Sequence, residues 1–414
     1  MPPRNALDSR ARNQRLGGAP DAKHATEITE RNPVLAPLNE SVLPHGIRSR
    51  LVPGINGLTV HLLEAGFETP HRPLVLLIHG FPELAFSWRK LLLPLAEAGF
   101  HAVAPDLRGY GRTTGWIADF DDDVAPFRLL NLVRDALGLV STLGYRRTSV
   151  VGHDVGSVVA AWCALIRPDV FNSVALMSAP FGGPPALPFD THATAQPAPP
   201  SPDIDADLAA LNPPRKHYQR YFASREAETD IVDCPQGLHD FLRAYYHVKS
   251  ADWAANQPFP LANGSATELA KMPTYYVMDR DRGMAATVAA HMPSEAEIAA
   301  CGWLPDDELR FYSGEFARTG LQGGLQFYRG AISSRFVPEL QLFSGRAIDV
   351  PSCFIAGASD WGIYQSPGAV EAMQGVGCTD MRMCRFVEGA GHWVQQEQPH
   401  VVSALLLQFL TGAK

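Results

Sequence analysis

The sequence lacks several features that mark whole classes of protein. No apolar run approaches the roughly 18 residues needed to span a bilayer, which argues against an integral membrane protein. The Arg-rich N-terminus is not followed by an apolar stretch, so no secretory signal is expected. Basic residues, 35 in number, are outnumbered by 43 acidic ones, and the net charge of −8 would repel nucleic acid. We therefore expect a cytoplasmic protein without a nucleic-acid partner.

Cysteine and charged residues are also scarce. The six cysteines lie far apart and form no C-x-x-C pair, which argues against a zinc site or a disulfide framework. We expect reduced, buried thiols, and neither a metal ion nor an organic cofactor. Charged residues make up 19% of the chain against a usual value of about 25%, while 46% are hydrophobic. This composition indicates a large folded interior rather than a disordered chain.

Four regions follow one another along the chain. Residues 1–45 are polar and aperiodic, and we interpret them as a flexible or loosely packed arm. In residues 46–182, short runs of Val, Leu and Ile alternate with helical segments, which is typical of an α/β fold with a mostly parallel sheet covered by helices on both faces. Residues 183–336 begin with a Pro-rich linker and become helical, which predicts an inserted cap. The α/β alternation resumes in residues 337–414.

The most informative segment is Ser149-Val-Val-Gly-His-Asp-Val-Gly-Ser157. A strand ends near Gly152 and a helix begins near Gly156, so Asp154 lies in a turn that is sharp enough to require small neighbours. The pattern is the G-x-S-x-G nucleophile turn with aspartate in place of serine. A carboxylate there would lie beside the N–H groups of a helix N-terminus. Taken alone, Asp154 could equally be a helix cap, and other motifs must decide.

A second motif follows the strand predicted at Leu74–Ile78. The sequence His79-Gly-Phe-Pro-Glu83 forms an H-G-x-P turn at the point where this architecture supplies an oxyanion-hole N–H. We predict that the backbone N–H groups of Phe81 and Val155 form the oxyanion hole. A cis peptide bond before Pro82 is expected.

The third motif supplies a base and an acid. His392 lies in the small-residue loop Gly391-His-Trp393 just beyond a strand, and Asp360 follows the buried strand near Val350–Ala356. Asp349 and Asp380 are the rival acids, but their positions relative to the strands are less suitable. The order Asp154, Asp360, His392 matches the nucleophile, acid and base order of the α/β-hydrolase fold. We therefore predict Asp154 as nucleophile, Asp360 as orienting acid and His392 as general base.

From about residue 46 onward, these motifs together resemble the epoxide hydrolases of the α/β-hydrolase superfamily. Besides the turns above, the resemblance includes Asp106-Leu-Arg-Gly-Tyr-Gly111 and two cap segments. It implies the α/β-hydrolase fold with a helical cap, or lid, domain. It also implies two cap tyrosines that hold the epoxide oxygen: Tyr218 in His217-Tyr-Gln-Arg-Tyr-Phe222, with Tyr221 as the fallback, and Tyr328 in the segment 319–329.

The resemblance implies that an epoxide and water give a vicinal diol through an ester on Asp154. Substrate contacts are expected from Phe81, Pro82, Val155 and Trp393. The sequence does not decide whether the protein forms a homodimer. Haloalkane and haloacid dehalogenases share the aspartate nucleophile and are the first alternative, although Val155 replaces the Trp or Arg that they carry. Epoxide hydrolases often have Trp at this position as well, so Val155 should give the pocket a different shape. A non-catalytic small-molecule-binding protein on the same fold is the second alternative.

Overall fold

The computed structural model describes Leu38 and residues 42–189 and 203–412 of the chain. The arm predicted for residues 1–45 and the Pro-rich linker after residue 183 lie largely outside these described residues. No helix in the described part is long and apolar enough to cross a membrane. All six cysteines are free thiols, and four of them are buried.

A single eight-stranded sheet forms the centre of the protein. Its strand order is β1-β2-β4-β3-β5-β6-β9-β10, in which β2 runs antiparallel to both neighbours and all other pairs are parallel. The strands are β1 Arg48–Ile55, β2 Leu58–Ala65, β3 Leu74–Ile78, β4 His101–Pro105, β5 Thr148–His153, β6 Phe171–Met177, β9 Ser352–Gly357 and β10 Met381–Val387.

Strand β3 shows why this sheet needs cover on both faces. All five of its residues are buried. Because successive side chains point to opposite faces of a strand, Val75 and Leu77 join one hydrophobic cluster while Leu74, Leu76 and Ile78 join the other. The near-continuous apolar run in the sequence therefore corresponds to a central strand buried on both sides.

Helices of the α/β part cover the two faces. The principal ones before the insertion are Arg89–Glu97, Leu129–Thr142 and Val155–Ile166, and those after it are Ala369–Ala372, Val394–Glu397 and Pro399–Gly412. Short 3₁₀ turns lie at Ala85–Trp88, Ala125–Phe127 and Trp361–Ile363, and a π-helical turn lies at Met373–Gly377.

The insertion between β6 and β9 forms a helical cap over the carboxyl end of the sheet. It also contains a two-stranded antiparallel ribbon of β7 Arg215–His217 and β8 Val277–Asp279. Its helices are Ile204–Ala209, Tyr218–Phe222, Glu226–Val232, Gly237–Lys249, Ala266–Leu269, Met284–Ala289, Glu295–Ala300, Asp306–Thr319, Gln322–Ile332 and Val337–Gln341, with a 3₁₀ turn at Ser334–Phe336.

The predicted fold class, a mostly parallel sheet with helices on both faces and an inserted helical cap, is confirmed. Strand β1 and the ribbon in the cap were not predicted from the sequence. Strand β1 is an edge strand that is only half-buried over its first four residues and contains Pro53 and Gly54, so it carries no clear apolar pattern. The domain boundaries at residues 45, 182 and 336 stay predictions.

Candidate active site

Asp154 lies in a strained turn between β5 and the helix Val155–Ile166. Its φ of 53° is in the region that side chains rarely adopt, and it is the N-cap residue of that helix. A Cβ atom on Gly152 would lie 2.0 Å from the carbonyl oxygen of Gly156, and one on Gly156 would lie 2.2 Å from that of Ile78. Both positions therefore require glycine, and the turn presents Asp154 at the carboxyl end of the sheet.

The turn after β3 reaches the Asp154 carboxylate. The Phe81 N–H donates a hydrogen bond to Asp154 Oδ1 at 3.0 Å. Gly80 permits this approach because a Cβ there would lie 2.5 Å from the Cβ of Asp154. The Phe81–Pro82 peptide is cis, as expected. Val155 is the first residue of its helix, so its N–H has no partner within the helix; its role as second oxyanion donor stays a prediction.

The structure brings His392 and Asp360 together beside Asp154. His392 Nδ1 lies 3.1 Å and 3.2 Å from the two Asp360 oxygens, and His392 Nε2 lies 3.4 Å from Asp154 Oδ2. Asp360 is held in turn by the Gly362 N–H at 2.7 Å. Of the rival acids, Asp380 pairs with Arg382 and Asp349 is exposed. Among the three candidate acids, only Asp360 contacts the histidine.

Both carboxylates are stabilised in the ionised form. Burial acts to raise the pKa of Asp154, but the hydrogen bond and charge of His392 outweigh it, and the pKa lies well below its usual value. Burial acts to raise the pKa of Asp360 too, but the charge and hydrogen bond of His392, the Gly362 N–H and the charge of Lys249 together lower it. Asp154 can therefore act as a nucleophile at neutral pH without a base to deprotonate it.

Tyr218 and Tyr328 come from different cap helices, and their rings lie close together. Their ring centroids are 6.1 Å apart, and both rings pack against Phe222. The Tyr328 ring also contacts Phe81 at 5.3 Å between centroids. Tyr221, the alternative to Tyr218, donates a hydrogen bond from its hydroxyl to Asp230 within the cap. Geometry thus favours Tyr218 over Tyr221.

Burial and the nearby Asp154 charge raise the pKa of both Tyr218 and Tyr328. The two hydroxyls therefore keep their protons and can donate hydrogen bonds across the physiological pH range. The Tyr218 hydroxyl donates to Gln365 Oε1 at 3.1 Å and accepts from Gln219 Nε2 at 3.3 Å.

Trp393, a predicted substrate contact, is fully buried at the boundary between cap and core. Its indole N–H donates to the Tyr246 carbonyl oxygen at 2.9 Å, and its ring lies 4.7 Å from that of His392. Pro82 is also buried, and its carbonyl oxygen accepts the Tyr246 hydroxyl at 2.7 Å. The structure places both residues near the base and the oxyanion turn, and their contact with a substrate stays a prediction.

A buried ion pair, Glu83 with His153, was missed by the sequence analysis. His153 Nδ1 lies 2.5 Å from Glu83 Oε2, and His153 Nε2 lies 2.7 Å from the His392 carbonyl oxygen. Because both partners accept hydrogen bonds, both ring nitrogens must carry protons. Burial opposes this charge, but Glu83 raises the pKa of His153 to about 9. Because 70 residues separate Glu83 from His153, no local pattern pairs them in the sequence. The one available signal was that Glu83 adjoins the turn after β3 and His153 adjoins Asp154.

Lys249 is the second group that was missed. It ends the helix Gly237–Lys249 and is 4% exposed, with its ammonium lying over the rings of Tyr245, Tyr276 and Trp393 at 4.9 to 5.6 Å. Burial lowers its pKa, against the attraction of Asp154 and Asp360. No cluster of His, Cys, Asp and Glu within the described residues could hold a metal ion.

Comparison with known proteins identifies the family. Residues 73–399 match the sequence profile of the α/β hydrolase fold. The chain is 32% identical to epoxide hydrolase A of Mycobacterium tuberculosis over 86% of this chain and 95% of that protein, and 30% identical to epoxide hydrolase 3 of Siraitia grosvenorii over 86% and 96%.

Solved structures agree with this assignment. An epoxide hydrolase from an endophytic Streptomyces superposes with a TM-score of 0.70 at 32% identity, covering 89% of this chain and 96% of that one. Epoxide hydrolase A from Mycobacterium thermoresistibile gives a TM-score of 0.66 at 29% identity, covering 89% and 99%. The resemblance inferred from the motifs is thereby confirmed, and the chain belongs to the epoxide hydrolase family of the α/β-hydrolase fold.

Proposed function

We propose that this protein hydrolyses an epoxide to a vicinal diol through a covalent ester on Asp154. The observation that carries the proposal is the position of the Asp154 carboxylate, with Oδ1 bound by the Phe81 N–H at 3.0 Å and Oδ2 beside His392 Nε2 at 3.4 Å. One oxygen is thus held by a donor suited to an oxyanion, and the other is left to react.

In the first half-reaction, Asp154 Oδ2 attacks an epoxide carbon and the carbon–oxygen bond of the ring breaks. The hydroxyls of Tyr218 and Tyr328 donate hydrogen bonds to the ring oxygen, and one of them transfers its proton as the ring opens. The raised pKa values of the tyrosines support this role, because both groups are protonated when the substrate binds. The product is a hydroxyalkyl ester of Asp154 and one ionised tyrosine.

In the second half-reaction, His392 removes a proton from water, which attacks the Asp154 Cγ atom. Asp360 orients the imidazole and stabilises its charge. The oxyanion forms on Oδ1 next to the Phe81 N–H, with the Val155 N–H as predicted second donor; one such donor typically contributes about 3 kcal/mol. The ester bond then breaks, the departing diol oxygen takes the proton of His392, and the remaining water proton returns to the tyrosine.

The decisive experiment is a single turnover in ¹⁸O-water with enzyme in excess, followed by mass spectrometry of the peptide that contains Asp154. The ester mechanism puts the label into the Asp154 carboxylate and none into the diol, because the transferred oxygen comes from Asp154. Label in the diol and none in Asp154 would contradict the mechanism, since water would then have attacked the epoxide directly.

A dehalogenase would use the same nucleophile but must stabilise a departing halide. The side chains of Phe81 and Val155 offer no polar donor for that purpose, whereas Tyr218 and Tyr328 carry hydroxyls suited to an epoxide oxygen. Measuring halide release from haloalkanes beside diol formation from epoxides separates the two activities. If the protein forms neither halide nor diol, the non-catalytic binding protein is the remaining alternative.

The predicted cytoplasmic location is supported by the six free thiols, which suit a reducing compartment. The homodimer stays a prediction. Which epoxide is used depends on the aromatic wall of Phe81, Phe222 and the two tyrosines, which favours an apolar substituent next to the epoxide ring.

A further inference from the structure

The loop that carries His392 is joined directly to the end of the cap helix Gly237–Lys249. The His392 N–H donates to the Lys249 carbonyl oxygen at 2.8 Å, and the Trp393 indole donates to the Tyr246 carbonyl oxygen. A Cβ atom on Gly391 would lie 2.5 Å from the Lys249 oxygen, so glycine is needed for this approach. The backbone of the base loop therefore packs against the backbone of the cap.

One carboxylate, that of Glu397, binds both sides of this junction. Its Oε2 atom accepts the N–H groups of Ala251 at 2.8 Å and Gly391 at 2.9 Å, and its Oε1 atom accepts the Trp393 N–H at 2.9 Å. Two of these donors flank His392 in the chain, and the third belongs to the cap. Burial raises the pKa of Glu397 to about 8, although the three N–H groups act to lower it.

This junction holds the backbone on which the His392 side chain is carried. The imidazole itself contacts Asp360 through Nδ1 at 3.1 Å and lies 3.4 Å from Asp154 Oδ2 through Nε2. Displacing a reacting group by about 1 Å can cost about 100-fold in rate. The two oxygens of Glu397 accept three backbone N–H groups from the loop and the cap, so its carboxyl group is suited to hold the loop.

We propose that Glu397 is a positioning residue that couples the docking of the cap to the ester-hydrolysis half-reaction. This inference rests on the proposed function, because it assumes that His392 acts only after the ester has formed. Glu397 contacts none of the reacting atoms and acts through the backbone on either side of His392. Ester formation uses Asp154, held by Phe81, and the cap tyrosines, so it should not depend on Glu397.

The test compares Glu397→Gln, Glu397→Asp and a matched control, Glu388→Gln, in the full chain. Glutamine has the size of glutamate but offers one acceptor oxygen and places an NH₂ group against an N–H donor. Aspartate keeps the carboxyl group on a shorter side chain. Glu388 is an exposed glutamate in the turn that leads into the same loop.

The rate constants of ester formation and ester decay are measured by rapid quench and mass spectrometry of the Asp154 peptide. The probe is whichever of styrene oxide and cyclohexene oxide the wild-type protein hydrolyses. We expect Glu397→Gln to slow ester decay by about 10- to 100-fold, so that ester accumulates, with ester formation unchanged. Glu397→Asp should recover part of the loss, and Glu388→Gln should match the wild type.

Equal slowing of both steps in Glu397→Gln would overturn the proposal, because a general loss of folded structure would act that way. Ester decay as fast as in Glu388→Gln would overturn it too. If Glu397→Gln yields no folded protein, the test is made with Glu397→Asp. The ratio of its rate constants for ester decay and ester formation then decides, because only folded protein forms the ester and enters the measurement. Absence of any ester in the wild-type protein would instead refute the proposed function.

Discussion

The core and the cap contribute different kinds of group to one site. The core supplies ionisable residues, Asp154, Asp360 and His392, each at the end of a strand or in the loop that follows it. The cap supplies the hydroxyls of Tyr218 and Tyr328, which lie among aromatic rings. The carboxylates and the imidazole are thus in the sheet part, and the two tyrosine hydroxyls, which are neutral hydrogen-bond donors, are in the inserted part.

The physical reason lies in the cost of burying charge. An ionised group inside a protein needs several fixed partners, and strand ends and helix N-termini offer backbone N–H groups in fixed positions, as Phe81 and Gly362 do here. A tyrosine needs only burial of its ring and access for its hydroxyl. We therefore expect the core groups to govern both half-reactions and the cap tyrosines to govern only the first.

The largest effect should follow loss of the proposed nucleophile, Asp154. Replacing Asp154 by Ala removes the atom that forms the ester, and turnover should fall by at least about 10⁴-fold. Initial rates of diol formation measure the loss, and Asp380→Ala, at an exposed ion pair, should retain wild-type activity. Residual turnover within about tenfold of the wild type would mean that water attacks the epoxide without Asp154.

The next effect separates the two half-reactions within the core. His392→Gln removes the proposed base, so turnover should fall by about 10³-fold while the Asp154 ester still forms and accumulates. Mass spectrometry of the intact protein after mixing with substrate detects the added mass. If no ester accumulates, His392 is already required for ester formation, and the assignment of its role to the second step is wrong.

Removal of a cap hydroxyl should affect the first step alone. Tyr218→Phe and Tyr328→Phe each leave one donor to the epoxide oxygen, and ester formation should slow by about 10- to 100-fold with unchanged ester decay. Tyr221→Phe is the control, because that hydroxyl is occupied by Asp230. Slower ester decay in Tyr218→Phe or Tyr328→Phe would contradict the assignment of the cap tyrosines to ester formation alone.

The smallest effect concerns the buried pair behind the base. Glu83→Gln removes the charge that keeps His153 protonated, and turnover should fall by about tenfold as the support of the His392 carbonyl oxygen weakens.

Stability should respond to pH through the same pair. Because the folded pKa of His153 is raised to about 9, its stabilising contribution is fully present below its unfolded pKa of about 6.5 and is lost as pH rises through about 9. Urea unfolding at a series of pH values in this range should show that decline in the wild type and a weaker one in Glu83→Gln. Parallel curves for the two proteins would mean that His153 is not protonated by Glu83.

The parts of the site that could be predicted from the sequence are those encoded in short, continuous segments. The turn around Asp154 is defined by Gly152 and Gly156 within five residues, and the order of Asp360 and His392 after it follows the strands. The cap tyrosines depended on the family resemblance, because a tyrosine in an amphipathic helix is most often a core residue.

What could not be predicted depends on contacts between distant segments. Glu83 and His153 are 70 residues apart, and the Ala251 N–H that binds Glu397 is 146 residues away from it. Neither pair has a spacing that local periodicity can reveal. Strand β1 was missed for a different reason, since an edge strand with Pro and Gly lacks the alternation on which strand prediction relies.

The close packing of Gly391 on the end of the cap helix limits how substrate and product can come and go. A cap that lifted as a rigid body at this edge would break the hydrogen bonds of Lys249 and Ala251 to the base loop and release His392 from its place. We therefore expect this edge to stay closed while substrate and product pass through another opening. Each diol can then depart while the base remains aligned for the next turnover.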